Sequence, residues 1–416
     1  MPPNSKERFF NRTKPVANMI SSLRKAYNDQ FTATKYATFL AELTSLYNHT
    51  PKFRIGETPV FIPDDFRDKL IKACDDIADA ITRPDFKEIT EGSMTDANRV
   101  PNEDLHPNFL VVDFGVCADK DGSLTPKMIE LQGFPSLYYF QNDLARLYKK
   151  HFEIPENMTP FFNGLDTEGY LKVMKEVIIG HSKPESVVLL EIEPEKQNTL
   201  IDFYATAKQL GIKILCLTNV LKSGRRLFYK NEKGKLIKIQ KIYNRVIFDE
   251  LENRPDLNFG FNFTDDLEVE WVGHPNWFFR ISKYTMPFLT SDFVPKTYFL
   301  KDLDTYPSDL ENYVLKPLFS FSGQGVKIDV TLEDLASIED KSNYILQEKV
   351  EYVAALETPT EPAKIEIRML LIWKKGDARP MLVNNLIRLS KGAMIGVRYN
   401  KDKDWVGASV GFFNPK

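Results

Sequence analysis

Residues 316–326 read Lys-Pro-Leu-Phe-Ser-Phe-Ser-Gly-Gln-Gly-Val. Lys316 ends an apolar run of Tyr313, Val314 and Leu315, and Val326 opens a second β-rich run that ends at Val330. A strand, a small-residue loop and a returning strand describe a hairpin flap. Gly323 and Gly325 tolerate positive φ and place no side chain between backbone and ligand. Their amides, with Ser320 and Ser322, suit phosphate oxygens. Lys316 supplies a point charge beside them. Taken alone, the same residues also describe a hairpin tip with an exposed lysine, because short glycine-rich matches have little specificity.

Neighbouring stretches narrow the choice. Upstream stand Ile281-Ser282-Lys283-Tyr284 and Val294-Pro295-Lys296-Thr297-Tyr298; downstream stand Tyr344-Ile345-Leu346-Gln347-Glu348-Lys349-Val350, Glu366-Ile367-Arg368-Met369 and Ile387-Arg388-Leu389-Ser390-Lys391-Gly392. This order resembles the ATP-grasp family. The resemblance implies that Lys283 and Lys316 contact the phosphates of ATP, under a flap of Ser320, Ser322, Gly323, Gln324 and Gly325. It further implies that the backbone around Gln347, Glu348 and Val350 hydrogen-bonds the adenine edge. The physical logic is direct: a polyphosphate needs cations from more than one direction, and an adenine needs one donor and one acceptor in an apolar slot.

The family's late acidic metal site does not follow in sequence, and a counterpart stands near the front. Phe109-Leu110-Val111-Val112-Asp113-Phe114-Gly115-Val116 reads as a strand. Asp119-Lys120-Asp121-Gly122 reads as a tight turn, since Asp-Gly suits positive-φ positions. Pro126-Lys127-Met128-Ile129-Glu130-Leu131-Gln132 reads as the returning strand. Glu130 and Gln132 share a face on it, and Asp113 stands on the neighbouring strand. Two carboxylates and an amide oxygen are hard ligands of the kind Mg²⁺ takes, with phosphates completing the shell. The bland alternative is the exposed face of a two-stranded ribbon.

A metal hairpin ahead of the nucleotide lysines resembles the circularly permuted ATP-grasp proteins, including the synthetase domain of glutathionylspermidine synthetase. The likeness continues through Gly133-Phe134-Pro135-Ser136-Leu137-Tyr138. It continues again through an apolar strand at 186–193, a helical pattern at 196–210, a strand at 211–217 and Tyr243-Asn244-Arg245 in a strand at 241–249. The resemblance implies an α+β / α/β chain with a helical N-terminal region at 1–105. A metal-binding hairpin with helices follows at 106–185, a small Rossmann-like pre-ATP-grasp domain at 186–265 and the nucleotide-binding domain at 266–416. Two positions depart from the pattern: Gln132 stands for the usual Asn, and Val111 stands where relatives often carry Arg.

The implied activity is an Mg²⁺-dependent carboxylate–amine ligase. A substrate carboxylate takes the γ-phosphoryl group of ATP, and an amine then displaces phosphate. Such catalysis is positioning and electrostatics; it needs no protein nucleophile. Arg368 and Arg388, on late strands, are candidates to steady the carboxylate or acylphosphate, or else form a structural ion pair. The rival reading is a non-catalytic nucleotide-binding or scaffold module. The partners implied are a small-molecule acid and amine, and the sequence names neither.

Composition supports these readings in outline. At 416 residues and 43% hydrophobic, the chain has material for roughly two to four domains. A formal net charge of −3 and no basic tract argue against a nucleic-acid surface. Cys74, Cys117 and Cys216 lie far apart in sequence, which suits a reducing, cytoplasmic setting. Cys216, in Ile-Leu-Cys-Leu, is expected to be buried. The 5 histidines form no ligand pair; His274, before Pro275, is the one nearest the nucleotide part. Residues 1–12 are polar and lack a leader-type apolar core, and no apolar run has membrane-spanning length. Helical periodicity runs through residues 16–47 and 66–81, with Asp64 as a candidate cap for the second. Oligomeric state is not legible.

Overall fold

The computed structural model describes residues 18–320, 323–392, 395 and 399–416. Five antiparallel strands form its central sheet, in the order Gly407–Ser409, Met381–Ser390, Lys364–Ile372, Phe109–Ala118 and Leu124–Gln132. The front-of-chain hairpin therefore completes a sheet begun by the tail. Phe109–Ala118 is buried at nine of its ten positions, as befits a strand covered on both faces. On one face Leu110, Val112, Phe114 and Val116 join Ile365, Ile367 and Met369 against the helix Asp64–Ile81, through Phe66, Leu70, Ala73 and Ile77. The opposite face starts apolar, with Phe109, Val111, Leu370 and Ile372 packed on Tyr138, Tyr170 and Phe203. It turns charged within two residues, at Asp113 and Arg368.

A four-stranded parallel sheet follows, ordered Glu270–Val272, Lys241–Asn244, Val187–Glu191, Lys213–Cys216. The helix Leu200–Leu210 makes the crossover and ends at Gly211 in the left-handed region, φ +69°. It starts four residues later than its periodicity predicts, because Pro194–Lys196 closes a separate 3-10 turn. The strand predicted over 241–249 stops at Asn244 and gives way to the short helix Phe248–Glu252. A third sheet joins Thr297–Phe299, Tyr344–Glu348 and Tyr313–Pro317, all antiparallel, over a small core of Leu300, Leu315, Leu335 and Leu346. A small antiparallel sheet joins Leu221–Ser223, Arg226–Lys230 and Leu236–Ile239.

At the N-terminal end the periodicity of 16–47 resolves into two helices, Ser21–Gln30 and Ala33–Tyr47. Thr32 separates them and caps the second by accepting from the Lys35 amide at 3.2 Å. They pack on the helix Tyr138–His151 through Tyr27, Phe39 and Leu43. Asp64 is not the cap of its helix. Pro63 holds that position, and Asp64 sits in the first turn, accepting from Arg67 at 3.0 Å. Cys216 is half-buried rather than buried. No described helix is long and apolar enough to cross a membrane.

Candidate functional site

Asp113 has Glu130 as its cross-strand partner on one side and Arg368 on the other. Two residues along, Glu366 stands opposite Gly115, and Arg388 stands opposite Glu366. Side-chain alternation puts all five charged groups on one face. Arg368 grips Asp113 with two bonds, Nε to Oδ1 and Nη2 to Oδ2, both 2.7 Å. Arg388 Nη2 donates to the same Oδ2 at 2.5 Å and also contacts Glu366. The Tyr352 hydroxyl donates to Glu366 Oε2 at 2.9 Å. Gly115 makes room for that tyrosine: a Cβ there would lie 2.8 Å from the Tyr352 ring.

The electrostatics follow from burial and pairing. Burial alone would raise the Asp113 carboxyl; Arg368 and Arg388 outweigh it and hold the group below the usual carboxylate range. Glu366 is buried and raised, with Arg388 opposing the rise and Asp113 adding to it. Burial works against the Arg388 charge, but Glu366, Asp113 and Glu130 overcome it and raise the group.

The register slips between the Asp113–Glu130 and Phe114–Met128 pairs, leaving Ile129 as the extra residue of a β-bulge. Bulges release backbone groups from the ladder, and the Ile129 carbonyl accepts from Lys316 Nζ at 2.9 Å. A lysine from the tail is thereby seated on the hairpin from the front. Burial lowers the Lys316 ammonium to about 8, with Lys283 adding to the depression; Glu130, Glu366 and Asp113 oppose it. Lys283 opens the 3-10 turn Lys283–Phe288 and donates to the Ser320 carbonyl at 2.7 Å. Gln132 Nε2 donates to Glu130 Oε1 at 3.0 Å. Glu130, Gln132, Phe134, Phe278, Lys283 and Ser320 line a cleft of about 40 Å³, space for a few waters.

The second wall is Leu318, Phe319 and Ser320, which follow the strand Tyr313–Pro317 of the three-stranded sheet. Lys316 lies opposite Ile345, and Gln347, two residues on, lies between Thr297 and Val314 on the same face. Gln347 is 1% exposed, and neither its Oε1 nor its Nε2 finds a hydrogen-bond partner among the described residues. Burying a carboxamide unpaired costs on the order of 1–3 kcal/mol.

Several expectations need revising. Asp113, expected as a metal ligand, has both oxygens accepting from arginines and is 0% exposed. The backbone expected to meet adenine is largely engaged, with the Glu348 amide donating to the Lys296 carbonyl and the Lys349 amide to the Asn312 carbonyl. Val350 lies against Gly115. The returning strand of the flap is reduced to an isolated bridge, Leu315 with Lys327. Gly323 and Gly325 do adopt positive φ, +71° and +69°, while Gln324 is exposed. Ser322 lies outside the described residues. His274 is a helix cap: its Nδ1 accepts from the Asn276 amide, and burial lowers its imidazole to about 4. Sequence reading missed Glu366, Tyr352 and Gly115. The glycine in Asp-Phe-Gly was the available signal, since a glycine inside a strand marks a close approach.

No protein-family model matches the chain, and no curated protein matches it. Among solved structures it is similar to a glutathione synthetase-like effector from Globodera pallida in its apo form. The TM-score is 0.58 at 10% identity, over 94% of this chain and 99% of that one. At that identity the likeness is one of fold. The chain thus shares a mixed α/β fold with that glutathione synthetase-like protein.

Proposed function

We propose that this chain is an ATP-dependent carboxylate–amine ligase on a circularly permuted ATP-grasp fold. The observation that carries the reading is the seating of Lys316 on the bulged Ile129 carbonyl, beside Glu130. ATP fits the residues present. Lys283 lines the cleft and Lys316 sits buried beside Glu130, which lines it too, so two cations flank one region, and the orphaned carboxamide of Gln347 offers the donor and acceptor that a purine edge requires. Nucleotide-sized sites enclose roughly 300–1,000 Å³, so entry needs the three-stranded sheet to swing away from the central one.

Magnesium fits the expected ligand set poorly. Asp113 is enclosed by arginines, which leaves Glu130 and Gln132, half-exposed and bonded to each other. The chemistry assigned here uses the chain's own cations. Lys283 and Lys316 hold the phosphates and draw charge off the γ-phosphoryl group. A substrate carboxylate oxygen attacks that phosphorus, and the bond to the β-phosphate oxygen breaks, releasing ADP. Arg388, fixed by Asp113 and Glu366, steadies the acylphosphate by charge-assisted hydrogen bonds. Arg368 positions Asp113. An amine then attacks the acyl carbon, loses a proton and expels phosphate, leaving an amide. Small-molecule acids and amines are the substrate classes.

The enclosure of Asp113 specifically favours a second reading, a nucleotide-binding module without turnover. ADP release measured across pooled amino acids, polyamines and short peptides separates the two. Acceptor-dependent release supports the ligase; nucleotide binding with no release under any acid and amine pair supports the module.

A further inference from the structure

Arg388 leaves the Met381–Ser390 strand opposite Glu366 and reaches Asp113, two strands away. Its guanidinium bridges two buried carboxylates, the position a divalent cation takes in a carboxylate site. The placement is built by packing. Tyr352 fixes Glu366 from behind, Gly115 admits Tyr352, and Arg368 fixes Asp113 from its far side. A guanidinium is planar, permanently charged and more weakly hydrated than other cationic side chains. Mg²⁺ instead demands near-octahedral oxygen ligands and gives up water reluctantly. Asp113 has three N–H groups on its oxygens and no exposed surface.

Charge balance agrees. Carboxylates that bind a metal need that metal to neutralise them. Here Asp113, Glu130 and Glu366 already face Arg368, Arg388 and Lys316, and Lys283 lines the cleft with Glu130, so cations are in excess before any ligand enters. Such a site attracts a polyanion without help.

We propose that this cleft binds a nucleoside triphosphate without a divalent cation, with Arg388 clamped between Asp113 and Glu366 in the metal's place. The inference rests on the nucleotide reading of the cleft.

The test is calorimetric titration of the full chain with a non-hydrolysable ATP analogue, in excess magnesium and in excess EDTA. The two dissociation constants are expected to agree within about threefold. Binding that appears only with magnesium overturns this inference and leaves the nucleotide reading standing. Absence of binding in both conditions overturns both. Arg388→Met sharpens the comparison: in EDTA its affinity is expected to fall by about tenfold or more, with magnesium restoring part of the loss. An equal loss in both conditions would assign Arg388 a plain phosphate contact and count against the proposal. If that variant does not fold, the wild-type pair of titrations decides. Manganese added to nucleotide-free protein and followed by electron paramagnetic resonance gives an independent readout: the free-ion signal should persist, and its loss to a bound species contradicts the idea.

Discussion

Lys316 is a charge held where burial disfavours it. Its ammonium is lowered from 10.5 to about 8, so it is charged at neutral pH and loses its proton as pH rises through that value. Nucleotide affinity should therefore fall above about pH 8. Lys316→Arg should flatten the fall, because a guanidinium does not titrate there; a pH-independent wild-type affinity would remove Lys316 from the phosphate site. Stability of the ligand-free protein should move the other way. Between about 8 and 10.5 the unfolded chain holds the proton that the folded chain has lost, so this group's contribution rises with pH across that window. Arg368→Ala leaves the buried Asp113 with one partner, and chemical denaturation should show a loss of about 3–5 kcal/mol. The lysines and flap glycines could be picked out as candidates because each sits in a short local pattern. The Asp113–Arg368 pair was not, since it depends on cross-strand register between residues 255 apart.

At the scale of elements, the acidic strand owes its usefulness to a bulge. One extra residue turns Glu130 toward Asp113 and offers the Ile129 carbonyl to Lys316. Both strands of that hairpin and its Asp-Gly turn could be read from alternation and turn chemistry, with Gly122 at φ +88°. The bulge could not, because one inserted residue leaves the apolar pattern nearly unchanged. Gly133, directly after the strand, allows the helix Pro275–Arg280 to pack close: a Cβ there would lie 2.4 Å from the Trp277 carbonyl oxygen. Gly133→Ala must displace backbone, and a loss of about 1–3 kcal/mol is expected in thermal or chemical unfolding. Unchanged stability would mean that the junction is slack. The flap was over-read, because among the described residues the β-rich run at 326–330 keeps a single bridge, Leu315 with Lys327.

For the whole molecule, chain order and spatial order disagree in a way that carries the functional reading. The hairpin at 109–132 completes a sheet whose other strands begin at Lys364. The resemblance to permuted ATP-grasp chains pointed to this arrangement; periodicity alone did not, because it finds strands and not their neighbours. A nucleotide that binds only the folded chain stabilises it by mass action, by roughly 2.7 kcal/mol at a hundredfold excess over Kd. A thermal shift should therefore appear with an ATP analogue and vanish in Lys316→Ala. The most direct measurement is a crystal structure with a non-hydrolysable ATP analogue. It should place the triphosphate between the ammonium groups of Lys283 and Lys316 and the purine edge against the Gln347 carboxamide. Nucleotide bound on a surface away from Lys316 and Glu130, or no nucleotide at saturating concentration, would contradict the account.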